Sequence, residues 1–245
     1  MAVTAVSLLG LLVVWWVAAA VADSRVLPTP VAVFDAFWRD AATGELFFHL
    51  GMTLMRVFFA FAAAMLIGSA IGIGLGVSAS ANRFFDPWLI LFLNIPALVV
   101  IVLAYIWFGL NEVAAIGAIA VNKIPNVVVT MREGARSLDR QLTEMAAVYR
   151  FGPVKHLRHI ILPQLQPYFA ASSRSGLALI WKIALVVELL GRSNGVGFQI
   201  NLYFQLFDVA GILAYTLAFV AVMLVIELVV VQPLEGRATR WRTSA

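Results

Sequence analysis

The chain has 245 residues, of which 62% are hydrophobic and 12% are charged, and its formal net charge is +4. A soluble domain of this size carries roughly twice that charged fraction, so the composition excludes an ordinary soluble protein. The chain has no cysteine, which excludes disulfides and thiolate metal sites. The excess of Lys and Arg over Asp and Glu is typical of the cytoplasmic loops of a membrane protein, and we do not expect nucleic-acid binding.

Six apolar segments are long enough to cross a lipid bilayer, since a helix of about 20 residues spans the hydrocarbon core. We therefore predict an all-α, polytopic membrane protein that forms a single domain over residues 1–245. The first segment is interpreted as a span and not as a signal peptide, because no Lys or Arg precedes it. The six predicted transmembrane helices cover about 3–22, 52–77, 88–108, 113–131, 168–190 and 209–231.

Three of the connections between the predicted spans are long, namely residues 23–50, residues 132–167, which are described below, and residues 191–208. Residues 23–50 form the first long loop, in which Val31–Trp38 has the pattern of a short interfacial helix. Residues 78–87 are predicted to be a polar turn. Residues 191–208 are predicted to form a loop with a short surface or re-entrant helix.

Two sequence features predict local geometry inside the spans. Gly68, Gly72 and Gly76 recur every four residues, which is typical of a face where two membrane helices pack closely. Pro96 lacks a backbone N–H group and follows Asn94 and Ile95, so we expect a bend at this point.

The longest polar segment covers residues 132–167 and carries six of the chain's 17 Lys and Arg residues. If this segment is cytoplasmic, ten basic residues lie on the cytoplasmic side and three on the other. The positive-inside rule therefore predicts that both termini and this segment are cytoplasmic. The basic residues counted on the cytoplasmic side are Arg83, Arg132, Arg136, Arg140, Arg150, Lys155, Arg158, Arg237, Arg240 and Arg242, against Arg25, Arg39 and Arg192.

The polar segment contains Glu144-Met145-Ala146-Ala147 and, 19 positions after Glu144, the proline of Ile161-Leu162-Pro163. This pattern resembles the EAA loop of the permease subunits of ABC importers. Small alanines permit close approach of backbones, Glu144 offers an ion-pair partner, and Pro163 is expected to mark the start of the fifth span.

Further motifs extend the resemblance over nearly the whole chain. Together they are similar to the nitrate, sulfonate and taurine branch of type I importers. These motifs are Leu27-Pro28-Thr29-Pro30, Arg56, Asp86-Pro87, Pro96, Trp107-Phe108-Gly109, Arg174, Glu188 and Gly195-Val196-Gly197-Phe198.

The resemblance implies a transport subunit and not an enzyme, in a bacterial inner membrane. Its expected partners are the lipid bilayer, a second permease copy, two ABC ATPase chains and a periplasmic substrate-binding protein. No cofactor is expected on this chain, because ATP and Mg²⁺ are bound by the ATPase. The implied substrate is a small anion or zwitterion of the nitrate, sulfonate or taurine class. The residues expected to couple the chain to the ATPase are Glu144, Met145, Ala146, Ala147, Arg150, Gly152 and Pro163.

One position departs from the family pattern. The family usually has glycine six residues after the glutamate, where this chain has Arg150. Glycine tolerates a sharp turn and proline can begin a helix, so we expect the turn to shift to Gly152-Pro153.

Charged side chains within the spans have two possible roles. Such a charge costs at least about 2.5–3.5 kcal/mol on insertion scales, so it normally faces protein or water. Lys123 and Lys182 could be paired structurally, for example Lys182 with Glu188, or they could line a pathway for anions. The candidate pathway residues are Lys123, Arg174, Lys182, Glu188, Asn94 and Pro96.

Three other functions are considered. A secondary transporter or channel that acts without ATP would need an internal repeat or an ion site, and the sequence shows no repeat. A membrane enzyme is not supported by any catalytic motif. A metal site is not expected, since His156 and His159 have no third ligand near them in the sequence.

Overall fold

The computed structural model describes residues 2–22 and 26–233, and every regular element within them is helical, as predicted. Arg25 and the tail arginines Arg237, Arg240 and Arg242, which entered the charge count, lie outside the described residues. The helices are α1 (Ala2–Ala22), α2 (Pro30–Thr43), α3 (Glu45–Val77), α4 (Ala79–Asn94), α5 (Ala97–Phe108), α6 (Glu112–Arg136), α7 (Arg140–Val148), α8 (Pro153–His156), α9 (Leu162–Gly191), α10 (Val196–Gln205) and α11 (Val209–Ile226). Two π-helical turns, Leu157–Ile161 and Glu227–Val231, precede α9 and follow α11.

The first long loop of the prediction is mostly helical. Thr29 caps α2 by accepting a hydrogen bond from the Ala32 amide at 3.3 Å, and Pro30 occupies the first helical position. Gly44 ends α2 in the left-handed conformation, and α3 begins at the next residue. The second span therefore starts seven positions earlier than predicted.

The predicted polar turn at 78–87 is wrong. Only Ser78 lies outside the helices, and its hydroxyl caps α4 by accepting from the Ala81 amide at 3.3 Å. Pro87 is inside α4. The prediction took Pro87 as a boundary, whereas the serine cap and the alanines that follow it start the helix earlier.

The bend predicted at Asn94-Ile95-Pro96 is confirmed, and it is large. The axes of α4 and α5 differ by 93° across this break. By length and composition, three helical segments can cross a membrane, namely Glu45–Val77, Glu112–Arg136 and Val209–Val229, and the bent pair would make four. Within the described ranges, the predicted count of six spans is therefore not confirmed.

The chain folds as two units, and the larger one comprises Arg56–Val187 and the described part of Val225–Ala245. In this unit the glycines of α3 pack directly on α6, as predicted. A Cβ atom at Gly68 would lie 2.6 Å from Val127 Cβ, and one at Gly76 would lie 2.4 Å from Ala135 Cβ. The same unit holds an apolar core in which Ile101 of α5, Ile119 of α6 and Ile180 of α9 are fully buried.

The smaller unit comprises the described part of Met1–Met55 together with Glu188–Leu224. Val33 and Ala36 of α2 pack against Ala214 of α11. The Tyr203 hydroxyl of α10 donates to the Asp40 carboxylate of α2. Burial and this hydrogen bond both raise the pKa of Tyr203, so the phenol stays neutral. The short helix predicted within 191–208 is confirmed as α10.

Candidate functional site

The segment between α6 and α9 contains the EAA-like motif and is held at its base by hydrogen bonds. The Ser137 hydroxyl donates to the Tyr168 hydroxyl at 2.7 Å, and the Asp139 amide donates to Gln164 Oε1 at 2.8 Å. The Asp139 carboxylate caps α7 by accepting from the Gln141 amide. These bonds attach the start of the segment to α9, whereas most residues in the middle of the segment are exposed.

The motif itself occupies α7. Ala146 is only 3% exposed and packs inward, whereas Met145 and Ala147 are exposed. Glu144 forms an ion pair with Arg140 at 2.9 Å, but the two side chains are 63% and 90% exposed. Such a surface pair contributes at most a few tenths of a kcal/mol, so Glu144 is free to exchange Arg140 for a partner on another chain.

The turn after α7 differs from the prediction. Arg150 itself has the left-handed conformation with φ = 52°, and Gly152 does not. The Phe151 amide donates to the Ala146 carbonyl at 2.9 Å, and the Arg150 amide donates to the Ala147 carbonyl at 3.0 Å. These two bonds form a Schellman motif, which normally has glycine at the position of Arg150. The expected shift of the turn to Gly152 is therefore wrong, since the two bonds keep the turn at the family's position.

Apolar side chains are exposed around this turn. Val148, Tyr149 and Val154 are between 71% and 79% exposed. Residues 148–158 also include three exposed basic residues, Arg150, Lys155 and Arg158, and the Lys155 ammonium lies over the Phe151 ring at 4.5 Å from its centre. An exposed apolar patch with a charged rim is typical of a protein-binding surface. We call the exposed residues from 144 to 158 the coupling surface.

Pro163 does not begin a new helix. The helical backbone is continuous from Pro153 to Gly191, with the π-helical turn Leu157–Ile161 between α8 and α9. Proline cannot donate a hydrogen bond to the carbonyl four residues before it, and a π-helical turn is one way to accommodate this. The prediction that Pro153 begins a helix is confirmed, because it is the first residue of α8.

Arg56 is fully buried in the larger unit. Its guanidinium donates two hydrogen bonds to the Glu112 carboxylate, at 2.8 Å from Nε and 2.7 Å from Nη2. This two-bond geometry is the strongest form of the arginine–carboxylate pair. The sequence analysis missed Glu112, since nothing in the sequence links residues that are 56 positions apart.

Lys123 and Lys182 have different environments. Lys123 is 2% exposed, and Lys182 is exposed on the face of α9. Neither lysine forms an ion pair or a hydrogen bond with a side chain or carbonyl of the part of the chain that the structure describes. The structural pairing of Lys182 with Glu188 is therefore not formed.

Three of the remaining candidate pathway residues are Arg174, Asn94 and Pro96, and all three are exposed. Arg174 forms an ion pair with Glu227 at 3.7 Å. Asn94 is exposed, and its side-chain amide donates to the Ile90 carbonyl of its own helix at 2.7 Å. Pro96 is exposed at the break between α4 and α5.

Glu188 belongs to the smaller unit and is fully buried there. Its carboxylate accepts hydrogen bonds from the Thr53 hydroxyl at 2.8 Å and from the Gly197 amide at 2.9 Å. The Thr53 hydroxyl also accepts from the Val196 amide, and His49 Nδ1 accepts from the Gly195 amide. These bonds attach the amino-terminal end of α10 to α3, and the sequence analysis did not identify Thr53 or His49.

Sequence comparison finds a family and several relatives. The family described as "Binding-protein-dependent transport system inner membrane component" matches residues 64–232. The chain is 32% identical over 224 residues to the putative aliphatic sulfonates transport permease protein SsuC of Bacillus subtilis, which covers 91% of this chain and 81% of that protein. It is 27% identical over 238 residues to the taurine transport system permease protein TauC of Escherichia coli, covering 94% and 86%.

Structure comparison supports the same fold. A chain from the crystal structure of an amino acid ABC transporter with histidines superposes with a TM-score of 0.64. The two chains are 19% identical, and the match covers 80% of this chain and 95% of the other.

Proposed function

Because the chain belongs to the family of binding-protein-dependent transport system inner membrane components, we propose that it forms the substrate pathway of an ATP-driven importer for small anions. The match over residues 64–232 carries this proposal, since it includes the coupling surface and most of the membrane helices. The chain is the transport subunit, and ATP is hydrolysed on a separate chain that binds ATP and Mg²⁺.

The substrate class is proposed from two observations. The relatives with the names quoted above are permeases for aliphatic sulfonates and for taurine. In addition, Lys123 and Lys182 lie in predicted membrane helices without an acidic partner in the described ranges, and cations in this position favour negatively charged substrates. We therefore propose a sulfonate or a similar small oxyanion, with taurine as the zwitterionic member of the class.

The coupling surface is proposed to dock on a cytoplasmic ATPase. Its exposed apolar residues would be covered by the partner, and its basic rim favours a partner cleft with acidic edges. Glu144, Met145, Ala147 and Arg150 would contact the ATPase directly. Ala146 and Pro163 would act through the position of α7 and α9, since Ala146 is buried and Pro163 follows the π-helical turn.

The assembly is proposed to contain two copies of this chain, two ATPase chains and a periplasmic binding protein. Ser175 and Lys182 are exposed on α9. Polar side chains on a membrane helix normally face protein or water and not lipid, so we place this face of α9 against the second copy or the pathway. The proposed location is a bacterial inner membrane with both termini in the cytoplasm.

Co-purification with the ATPase encoded beside this chain tests the proposal. Glu144→Ala and Ala147→Trp are expected to reduce both the amount of bound ATPase and the uptake of substrate, because both positions are exposed on the coupling surface. Gln141→Ala is the matched control, since Gln141 is exposed on α7 but lies outside the motif. Wild-type protein that binds no ATPase and still transports would instead be a secondary transporter or a channel.

A further inference from the structure

Lys123 is the most deeply buried lysine of the larger unit, and no group of the described chain neutralises it. Its side chain extends from α6 and is 2% exposed. Across residues 2–22 and 26–233, its ammonium group has neither a carboxylate within ion-pair distance nor a hydrogen-bond acceptor. A charged group that is largely removed from water and gains no partner within the described chain is unfavourable, so a counter-charge is expected from outside it.

A glycine of α9 provides the space that the Lys123 side chain occupies. A Cβ atom at Gly176 would lie 2.6 Å from Lys123 Cε and 3.2 Å from Nζ, so any other residue would displace the ammonium group. Glycine in the interior of a helix is less stable than alanine, and its presence here therefore has a packing reason. Ser172, one turn earlier on the same face of α9, is buried, and its hydroxyl donates only to the weak acceptor Met65 Sδ at 3.8 Å.

We propose that Lys123 is the membrane-embedded contact for the negatively charged group of the substrate, and that Gly176 keeps the space for this contact. The inference rests on the proposed function. The lysine ammonium has three donors arranged around a compact charge, which suits the oxygens of a sulfonate or another small oxyanion. Arg56, the other fully buried cation among the described residues, is already bonded to Glu112 and is not available for this purpose.

A single-cysteine experiment tests the proposal, since the chain has no natural cysteine. The complete complex is reconstituted in proteoliposomes, and uptake is measured with radiolabelled ethanesulfonate, taurine and bicarbonate. Lys123→Cys is expected to lower uptake about tenfold or more, as for the loss of a hydrogen bond to a charged group. The amount of ATPase chain that co-purifies with the Lys123→Cys chain is measured in the same preparation, so that loss of assembly is distinguished from loss of the substrate contact.

Chemical modification of the Lys123→Cys variant then restores the charge. The aminoethyl methanethiosulfonate reagent converts the introduced thiol into a side chain of nearly the length and charge of lysine, and it is expected to restore uptake. The sulfonatoethyl reagent adds a negative charge and is expected to leave uptake low. The control is the parent complex treated with each reagent, since its permease chain has no cysteine.

Two further variants separate a substrate contact from a packing role. Lys123→Met fills nearly the same volume without the charge and is expected to lose uptake as Lys123→Cys does. Gly176→Ala is expected to lower uptake by displacing the ammonium group, whereas Gly117→Ala, which meets no atom within 4 Å, is the matched control on α6.

Several results overturn the proposal. Normal uptake by an assembled Lys123→Met complex means that the charge serves only the fold. Equal effects of the two reagents, or a mass spectrum that shows no modification of the introduced thiol, mean that the position has no charge-selective contact with a water-filled pathway. A wild-type complex that binds no ATPase, or takes up none of the three substrates, refutes the proposed function itself before any variant is compared.

Discussion

Replacing Arg150 by glycine is predicted to stabilise the turn after α7. A left-handed conformation costs a non-glycine residue roughly 1–2 kcal/mol, and Arg150 has φ = 52°. Glycine removes this cost but loses about 0.5–1 kcal/mol more conformational entropy on folding. The two effects leave a net stabilisation of about 0.5–1 kcal/mol, which is the expected gain for Arg150→Gly.

Hydrogen exchange measures this gain at the bonds that close the turn. The amides of residues 150 and 151 donate to Ala147 and Ala146 at 3.0 and 2.9 Å. A stabilisation of about 0.5–1 kcal/mol slows the exchange of these amides by about two- to fivefold. Tyr149→Gly is the matched control, because Tyr149 has φ = −80° and gains nothing from glycine. Its exchange is expected to become faster.

The Arg150→Gly variant also separates the stability of the turn from the binding of the ATPase. If Arg150 contacts the ATPase, Arg150→Gly has a more stable turn and yet binds less ATPase in the co-purification assay. Arg150→Asn keeps a residue that tolerates the left-handed conformation but has no charge, and it is expected to lose binding as well. Exchange of amides 150 and 151 that is unchanged or faster in Arg150→Gly would refute the assignment of backbone strain to Arg150.

Two further predictions concern the buried polar groups. Gly195→Ala is expected to prevent assembly of the α9–α10 connection, since Gly195 has φ = 108° and a Cβ atom there would lie 2.4 Å from the Glu188 carboxyl carbon. Thermal unfolding should show a large decrease in the melting temperature of this variant. The melting temperature of Gly74→Ala should change little, because a Cβ atom at Gly74 meets no atom within 4 Å. Arg56→Met is expected to lower the free energy of unfolding by about 3 kcal/mol, because Glu112 loses the Arg56 guanidinium. The double variant Arg56→Met with Glu112→Gln should recover part of this loss. An equal loss in the double variant would contradict the pairing.

Local patterns in the sequence predicted the features that depend on neighbouring residues. The repeat of Gly68, Gly72 and Gly76 identified the close packing of α3, and Pro96 identified the bend. These predictions succeed because helix periodicity and the missing proline N–H act within one or two turns. The all-α class follows from the long apolar segments, because a chain segment in a bilayer must satisfy its own backbone hydrogen bonds.

Contacts between distant residues could not be predicted in the same way. Glu112 was not recognised as the partner of Arg56, and the bonds from Thr53 and His49 to the start of α10 join residues more than 140 positions apart. At Arg150, the rule that a turn forms at the nearest glycine predicted the wrong position for the turn. The turn is fixed by the hydrogen bonds to the Ala146 and Ala147 carbonyls. The coupling motif was identified from its residues, while its exposure and its strained turn required the structure.

The π-helical turn Leu157–Ile161 also affects how the coupling surface is oriented around the axis of α9. A π-helical turn contains one residue more than an α-helical turn, so it rotates everything before it by about 100° around the helix axis. Deleting one of residues 159–161 would leave every residue of the coupling surface in the chain but would point the surface to a different side of α9. Length at this one position, and not the chemistry of the exposed residues, therefore determines which way the coupling surface faces.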